Sequence, residues 1–210
     1  MGPDKSQVSV AGVGVRPHMP ALQDERLLTT LKAVAAALRG AEVPFALAGG
    51  LAAWARGGPP TEKDIDLLIR EQDAARAHEV LEAAGFRPEV PPEDWLIKVF
   101  DDDILIDLIF RPSGFVVDDE LLARCDELQV HALHMRVMRA DDLLTSKLLS
   151  LTEHHLDYAP ALEVARALRE QIEWDDVWAQ TKSSPFARAF FSLLAELEII
   201  DGSRLLRAAG

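Results

Sequence analysis

A single cysteine, Cys125, is all the sulfhydryl chemistry this chain holds. No internal disulfide framework can form, and a zinc site built from cysteine thiolates is excluded. Positive charge is also scarce. Lys and Arg number 22 against 35 Asp and Glu, a formal net charge of −13. A non-specific nucleic-acid coat needs a positive surface, so that class is unexpected, although a local basic patch on an acidic body is compatible with the count. Uncharged apolar runs stop well short of the roughly 20 residues a membrane span requires, so no membrane contact is expected. Residues 1–19 offer only the short Gly- and Ala-rich run 8–15, a poor signal peptide, and read as a flexible or strand-like leader. A cytoplasmic home is the simplest expectation. The chain also lacks Gly-x-x-x-x-Gly-Lys-Ser/Thr, a helix-opening Gly-x-Gly-x-x-Gly and His-Glu-x-x-His.

What is present suits a folded domain. The 210 residues are 49% apolar and 27% charged, enough for a sizeable core in one domain, or one with an appendage. Residues 20–39 place apolar side chains at helical spacing before Gly40. Residues 45–48 form a short apolar run that stops at Gly49-Gly50, a strand entering a tight turn, and 51–56 read as a small helix. Residues 64–69 alternate strictly as a strand, and 72–84 read as a helix closed by Gly85. Strands are predicted over 95–100 and 104–110, with the acidic turn Asp101-Asp102-Asp103 making them a hairpin, and another over 128–133. From residue 140 the pattern is helical, over 142–151, 160–172, 174–181, 185–197 and 203–208. The expectation is an α/β (α+β) core with a mixed sheet over 20–138 and a helical subdomain over 139–210.

Three carboxylates carry the chemistry. Asp64 and Asp66 stand two apart on a strand, so they share a face, while Ile65, Leu67 and Ile69 face the core. Their like charges repel unless a cation sits between them. Asp107 lies in a run so apolar that its strand is predicted to be central and buried on both faces, where a lone ionised Asp is costly. Hard cations such as Mg²⁺ prefer carboxylate oxygens and keep positions open for substrate phosphates, and two such ions can serve both ends of a phosphoryl transfer. Taken singly, each Asp reads first as a salt-bridge partner or a turn cap; the three together with Gly49-Gly50 read as a metal site. Gly49-Gly50 supplies a phosphate end: free backbone N–H groups at a helix start, with no Cβ in the way. Arg56 is a candidate phosphate contact, and equally a solvated surface Arg. Lys147, on a strongly apolar helix, can reach a triphosphate as a point charge. Trp95 reads as core or rim, and His154 and His155 as a helix-end polar cluster.

Leu47-Ala48-Gly49-Gly50, Lys63-Asp64-Ile65-Asp66-Leu67 and Ile106-Asp107-Leu108 together resemble the signature of the polymerase-β-type nucleotidyltransferase superfamily. Residues 142–149 and 162–168 are similar to the helical half of the AbiEii and MenT-like toxin nucleotidyltransferases. The resemblance implies a nucleotidyltransferase fold and transfer of a nucleoside monophosphate from an NTP, ATP among the candidates, to an acceptor hydroxyl. Asp64, Asp66 and Asp107 would hold Mg²⁺, with Asp107 alternatively the base. Gly49 and Gly50 would cradle the triphosphate, and Lys147 would steady it. Glu163, or Asp157 in competition, would match the acidic residue of the following helix, and Thr61 stands near the Ser or Thr those toxins carry before the Asp pair. The toxin likeness implies the tRNA 3′ end as acceptor and a cognate antitoxin as partner. An aminoglycoside- or lincosamide-modifying transferase, and a catalytically silent nucleotide-binding regulator, are the rival readings.

Overall fold

The helical spacing near the N-terminus is realised as α1 (Glu25–Gly40), which buries Leu27, Leu28, Leu31, Val34, Ala35 and Leu38. A computed structural model describes residues 25–61, 64–89 and 91–201; the leader 1–19, the expected start of α1 and the helix over 203–208 lie outside these residues. The first half continues through β1 (Phe45–Leu47), α2 (Gly49–Ala55), β2 (Asp64–Ile69), α3 (Ala74–Ala83), β3 (Arg87–Glu89), β4 (Leu96–Asp101) and β5 (Ile104–Ile109). Then come α4 (Asp119–Arg124), β6 (Asp126–Val130), β7 (Leu133–Val137), α5 (Ala140–Leu149), α6 (Ala159–Ala167), α7 (Trp174–Thr181) and α8 (Pro185–Glu196).

The strands form one mixed sheet in the order β3-β4-β5-β2-β1-β7-β6. β2 runs parallel to β5, and β1 parallel to β7. The pairs β1–β2, β3–β4, β4–β5 and β6–β7 are antiparallel. The mixed α/β architecture is the one expected. On one face, Ile65, Leu67, Ile104, Ile106 and Leu108 are buried. α1 packs on β2, α3 on β3 and β4, and the two helices on each other. The other face carries Asp64, Asp66 and Asp107.

Three local expectations are corrected. β5 is not buried on both faces: Ile104, Ile106 and Leu108 are buried, but Leu105, Asp107 and Ile109 are half-exposed, because the carboxylate face opens onto a cavity. The single strand over 128–133 is a hairpin, β6 and β7, turning through His131 with its positive φ of 53°. Leu128 and Val130, then Leu133, Met135 and Val137, alternate with polar residues on either side of the turn, as two strands require. The helix over 160–172 stops at Ala167 and tightens into a 3-10 turn. α4 carries no apolar period; Asp118 starts it by accepting a hydrogen bond from Leu121 N at 2.8 Å.

The helices from residue 140 onward are joined to the sheet by the core. One buried cluster runs from Leu27 to Ile200. α5 is central: α2, α6, α7 and α8 all pack against it. Its first turn is held by charge. Arg124 grips the buried Asp142 through Nε at 3.0 Å and a second nitrogen at 2.8 Å. Asp141 accepts from Arg139 at 2.8 Å and from Glu173 N at 2.7 Å. Two acidic groups at a helix N-terminus also suit the helix dipole. No helix among the described residues is long and apolar enough to cross a membrane.

Candidate active site

The site begins with strand register. β2 and β5 pair so that Asp66 stands directly opposite Asp107 and Asp64 opposite Leu105. Side chains two apart on a strand share a face, so all three carboxylates converge. One oxygen from each can be chosen so that the three lie within 4.8 Å of one another. Across the antiparallel β4–β5 pair, Lys98 is the register partner of Asp107. The convergence expected from the sequence is present.

The glycine turn is built onto the same strand. Ala48 N donates to Asp66 O at 2.9 Å, which ties the end of β1 to the carboxylate pair. Gly49 then opens α2 with a left-handed φ of +58°. A Cβ placed there would lie 1.6 Å from Asp66 Oδ2, so the carboxylate occupies the space that any other residue would fill. At Gly50 a Cβ would lie 2.6 Å from Thr61 Oγ1. Thr61 therefore belongs beside the turn.

Crowding of like charge shows in the proton affinities. The Asp66 carboxyl is pushed up to about 7, chiefly by burial, then by Asp64 and Asp107, while Lys147 pulls it down. Asp107 is pushed up to about 6, again chiefly by burial; Lys98 lowers it, and Asp64 and Glu93 raise it. Asp107 Oδ1 is buried and has no hydrogen-bond partner. A buried, unpartnered carboxylate oxygen beside two other carboxylates is the donor set that a hard divalent cation satisfies. The residues present fit such an ion.

A cavity of about 220 Å³ opens beside the cluster. Gly49, Asp66, Trp95, Ser113, Ser146 and Lys147 are among its lining residues. α5 thus brings Lys147 over the carboxylates from the helical side. The anchored Asp141 and Asp142, about two turns or less before Lys147, fix where that helix sits.

Arg56 is not brought to the site. Its guanidinium is buried and donates to Met138 O at 2.7 Å, Val137 O at 3.0 Å and Asp126 at 2.7 Å. The short α2 turns it toward the end of β7, where it fastens the chain leading into α5. Removing the guanidinium would leave the Val137 and Met138 carbonyls without this donor, at roughly 1–3 kcal/mol per orphaned buried group, while the half-exposed Asp126 can turn to water. Arg56→Met is therefore expected to destabilise the chain by about 3 kcal/mol in denaturant unfolding and to leave the NTP KM near wild type. A phosphate-contacting Arg would give the reverse pattern.

Glu163 is exposed on α6 and is absent from the cavity lining. Asp157 accepts from Ala159 N at 2.9 Å and so caps the start of α6. His154 is exposed beside Glu153, and His155 pairs with Thr152 in a small bridge. These residues form the helix-end polar cluster expected from their spacing. Glu93 was not foreseeable from a motif: it sits in Pro-Pro-Glu-Asp, and only the antiparallel pairing of β4 with β5 carries its segment to the acidic cluster.

Residues 17–198 match the model of a family described as uncharacterised nucleotidyltransferase. The chain belongs to this nucleotidyltransferase family. No curated protein matches this nucleotidyltransferase. Among solved structures it is similar to the antibiotic-resistance factor ANT(2″)-Ia in solution, with a TM-score of 0.61 at 17% identity, covering 84% of this chain and 98% of that one. A crystal structure of ANT(2″)-Ia in complex with adenylyl-2″-tobramycin gives a TM-score of 0.54 at 17% identity over 78% of this chain and 98% of that one. At such identity the likeness shows the fold. The lincosamide antibiotic adenylyltransferase LnuA, solved with lincomycin bound, aligns at a TM-score of 0.48 and 15% identity over 67% of this chain and 94% of that one. The family match and the two ANT(2″)-Ia likenesses establish a nucleotidyltransferase fold for the chain.

Proposed function

We propose that this nucleotidyltransferase moves a nucleoside monophosphate from an NTP to the hydroxyl of a small-molecule acceptor. The carrying observation is the carboxylate triple within 4.8 Å, with Asp107 Oδ1 buried and unpartnered. In the reaction the acceptor oxygen bonds to the α-phosphorus, the bridge from that phosphorus to the β-phosphate breaks, and pyrophosphate leaves. Asp64 and Asp66, with Asp107, would hold a divalent cation, Mg²⁺ being the natural choice for carboxylate oxygens. When bound, the ion supplies charge neutralisation at the phosphates. The backbone at Gly49 and Gly50 receives the triphosphate. Lys147 steadies it from α5 as a point charge. Asp107, at the Glu93 end of the cluster, accepts the hydroxyl proton. Positioning and charge neutralisation carry most of the rate.

A small acceptor is supported by the fold neighbour solved with adenylylated tobramycin and by the acidic balance of the chain, which suits a cationic drug. The tRNA 3′ end and an antitoxin partner draw no support from the family or the neighbours. The test is incubation with each labelled NTP, Mg²⁺, total cellular RNA and a mixture of aminoglycosides and lincosamides. Label is expected in the small-molecule fraction. Label in RNA would overturn the acceptor, and label nowhere would overturn the transfer itself. Lys147→Met is expected to raise the NTP KM about tenfold, the usual size of a lost charge-assisted hydrogen bond, with the acceptor KM unchanged in steady-state kinetics.

A further inference from the structure

The cavity beside the carboxylates has a second part that the triphosphate does not use. On β2 and β5 the face that carries Asp66 and Asp107 continues, two residues on, with Leu68 and Ile109, which are register partners as the two aspartates are. The floor thus turns from acid to apolar, and both apolar residues line the cavity. The roof is one stripe of α5, where Leu143, Ser146, Lys147 and Ser150 follow at helical spacing. Trp95 closes the apolar end. It is 39% exposed, and its carbonyl accepts from Phe110 N at 3.1 Å and Arg111 N at 3.3 Å, which fixes the backbone that carries the indole.

The lining also says which substrate enters. Gly49, Asp66 and Lys147, the groups that receive the triphosphate, line this cavity. Asp107, which takes the acceptor's proton, stays outside the lining, as does Glu93, whose buried Oε2 has no hydrogen-bond partner. The cavity therefore continues from the triphosphate and not from the attacking hydroxyl, and the group attached to the triphosphate is a nucleoside. An apolar floor that ends at an exposed indole suits a planar ring. The polar side chains beyond Asp66 and Lys147 are Ser113, Ser146 and Ser150, and among the described residues no Asn, Gln or Arg lines the cavity. A hydroxyl rotates to donate or to accept, so it fits either purine edge, where a fixed amide or guanidinium would choose one.

We propose that this part of the cavity is the nucleobase slot, with Trp95 as its stacking face, and that it selects by ring size: purine NTPs over pyrimidine NTPs, without distinguishing adenine from guanine. The inference rests on the reading that Gly49, Asp66 and Lys147 receive a triphosphate. It adds the residues that meet the base and the class of base they favour.

The test is equilibrium binding, which needs no turnover and no acceptor. The full chain with Mg²⁺ is titrated in a calorimeter with the α,β-methylene analogues of ATP, GTP, CTP and UTP, and with tripolyphosphate, which carries no base. The ATP and GTP analogues are expected to bind within about threefold of each other and at least about fivefold more tightly than the other two, because a second ring covers more of the indole. Trp95→Ala keeps the backbone bonds that hold its segment. It is expected to weaken the purine analogues at least about fivefold, the low end of what base–aromatic stacking contributes, and to leave tripolyphosphate unchanged. Trp95→Phe should keep most of the preference. Three results would overturn the slot and leave the triphosphate reading standing. One is pyrimidine analogues that bind as tightly as purine analogues. Another is a difference above about tenfold between the ATP and GTP analogues, the mark of a built hydrogen-bond pattern. The third is a Trp95→Ala chain that binds all four analogues as the wild type does, or loses tripolyphosphate as much as it loses them. Failure of tripolyphosphate and of every analogue to bind would refute the triphosphate reading, and the slot with it.

Discussion

Asp66→Asn is expected to abolish nucleotidyl transfer while making the metal-free chain more stable. Both effects come from one placement, a carboxylate buried among two others. Asp66 has an ordinary value of 3.8 when free and about 7 in the fold, raised first by burial and then by Asp64 and Asp107. A carboxyl that binds its proton more tightly when folded stabilises the fold at low pH. That contribution is complete below about pH 4 and is lost as pH rises toward about 7. Asp107, raised to about 6, adds a parallel loss over a slightly lower window. Above these values the folded chain holds adjacent anions with an unpartnered oxygen among them.

Asparagine removes one of those charges at nearly constant shape. A tenfold change in proton affinity is worth about 1.4 kcal/mol; discounted for coupling within the triple, the gain is on the order of 2 kcal/mol. For a chain of this size that is roughly 4–8 °C in Tm. Thermal melts of the metal-free proteins across about pH 4 to 8 should show wild-type stability falling and the variant's curve flatter. Mg²⁺ should restore stability to the wild type, because it binds the folded state. It should do little for Asp66→Asn. The turnover of the variant should fall by at least about 10³-fold, the scale of losing a principal electrostatic element. Active sites commonly trade stability for function in this way.

Gly49→Ala is the second large effect, and it works through space. The added Cβ would meet Asp66 Oδ2 at 1.6 Å and Asp66 Cγ at 2.6 Å. A φ of +58° also costs a non-glycine residue about 1–2 kcal/mol. The strand cannot retreat easily, since Asp66 O accepts from Ala48 N and Asp66 lies in register with Asp107. The side chain must turn away, and the triple opens. A loss of about 10²–10³-fold in turnover is expected, together with a stability loss of about 1–3 kcal/mol in denaturant unfolding. Gly50→Ala makes the contrast. Its Cβ meets the side chain of Thr61, with the hydroxyl nearest, at 2.6 Å, and a milder effect is expected because the partner is a small side chain outside the carboxylate triple.

Much of this is legible in the sequence because it depends on local periodicity. Alternation over 64–67 places Asp64 and Asp66 on one face whatever the rest of the chain does, and β2 carries it before Leu68 and Ile69 run fully buried. The apolar run around Asp107 marks a strand beside the centre of the sheet. What is not legible depends on pairing between distant segments. Arg56 resembles a phosphate contact in sequence because its neighbours there are the glycine turn. Its actual partners, Met138 O, Val137 O and Asp126, are about 70 to 82 residues away. Glu93 has no periodic or motif signal; the β4–β5 register and the unpartnered oxygen make it visible. Glu163 and Asp157 are singled out only by likeness of one helix to a family, and the fold exposes the first and uses the second as a cap.

The proposed chemistry depends on a divalent cation held among the carboxylates of β2 and β5. Crystals grown with Mn²⁺ and a non-hydrolysable NTP analogue probe it without intermediaries, since the ion is located by its anomalous signal. Mn²⁺ is expected on Asp64, Asp66 and Asp107 against the phosphates, with the triphosphate backed by Gly49 and Gly50. Manganese found elsewhere, or a nucleotide bound away from these side chains, would refute the metal site and the transfer built on it.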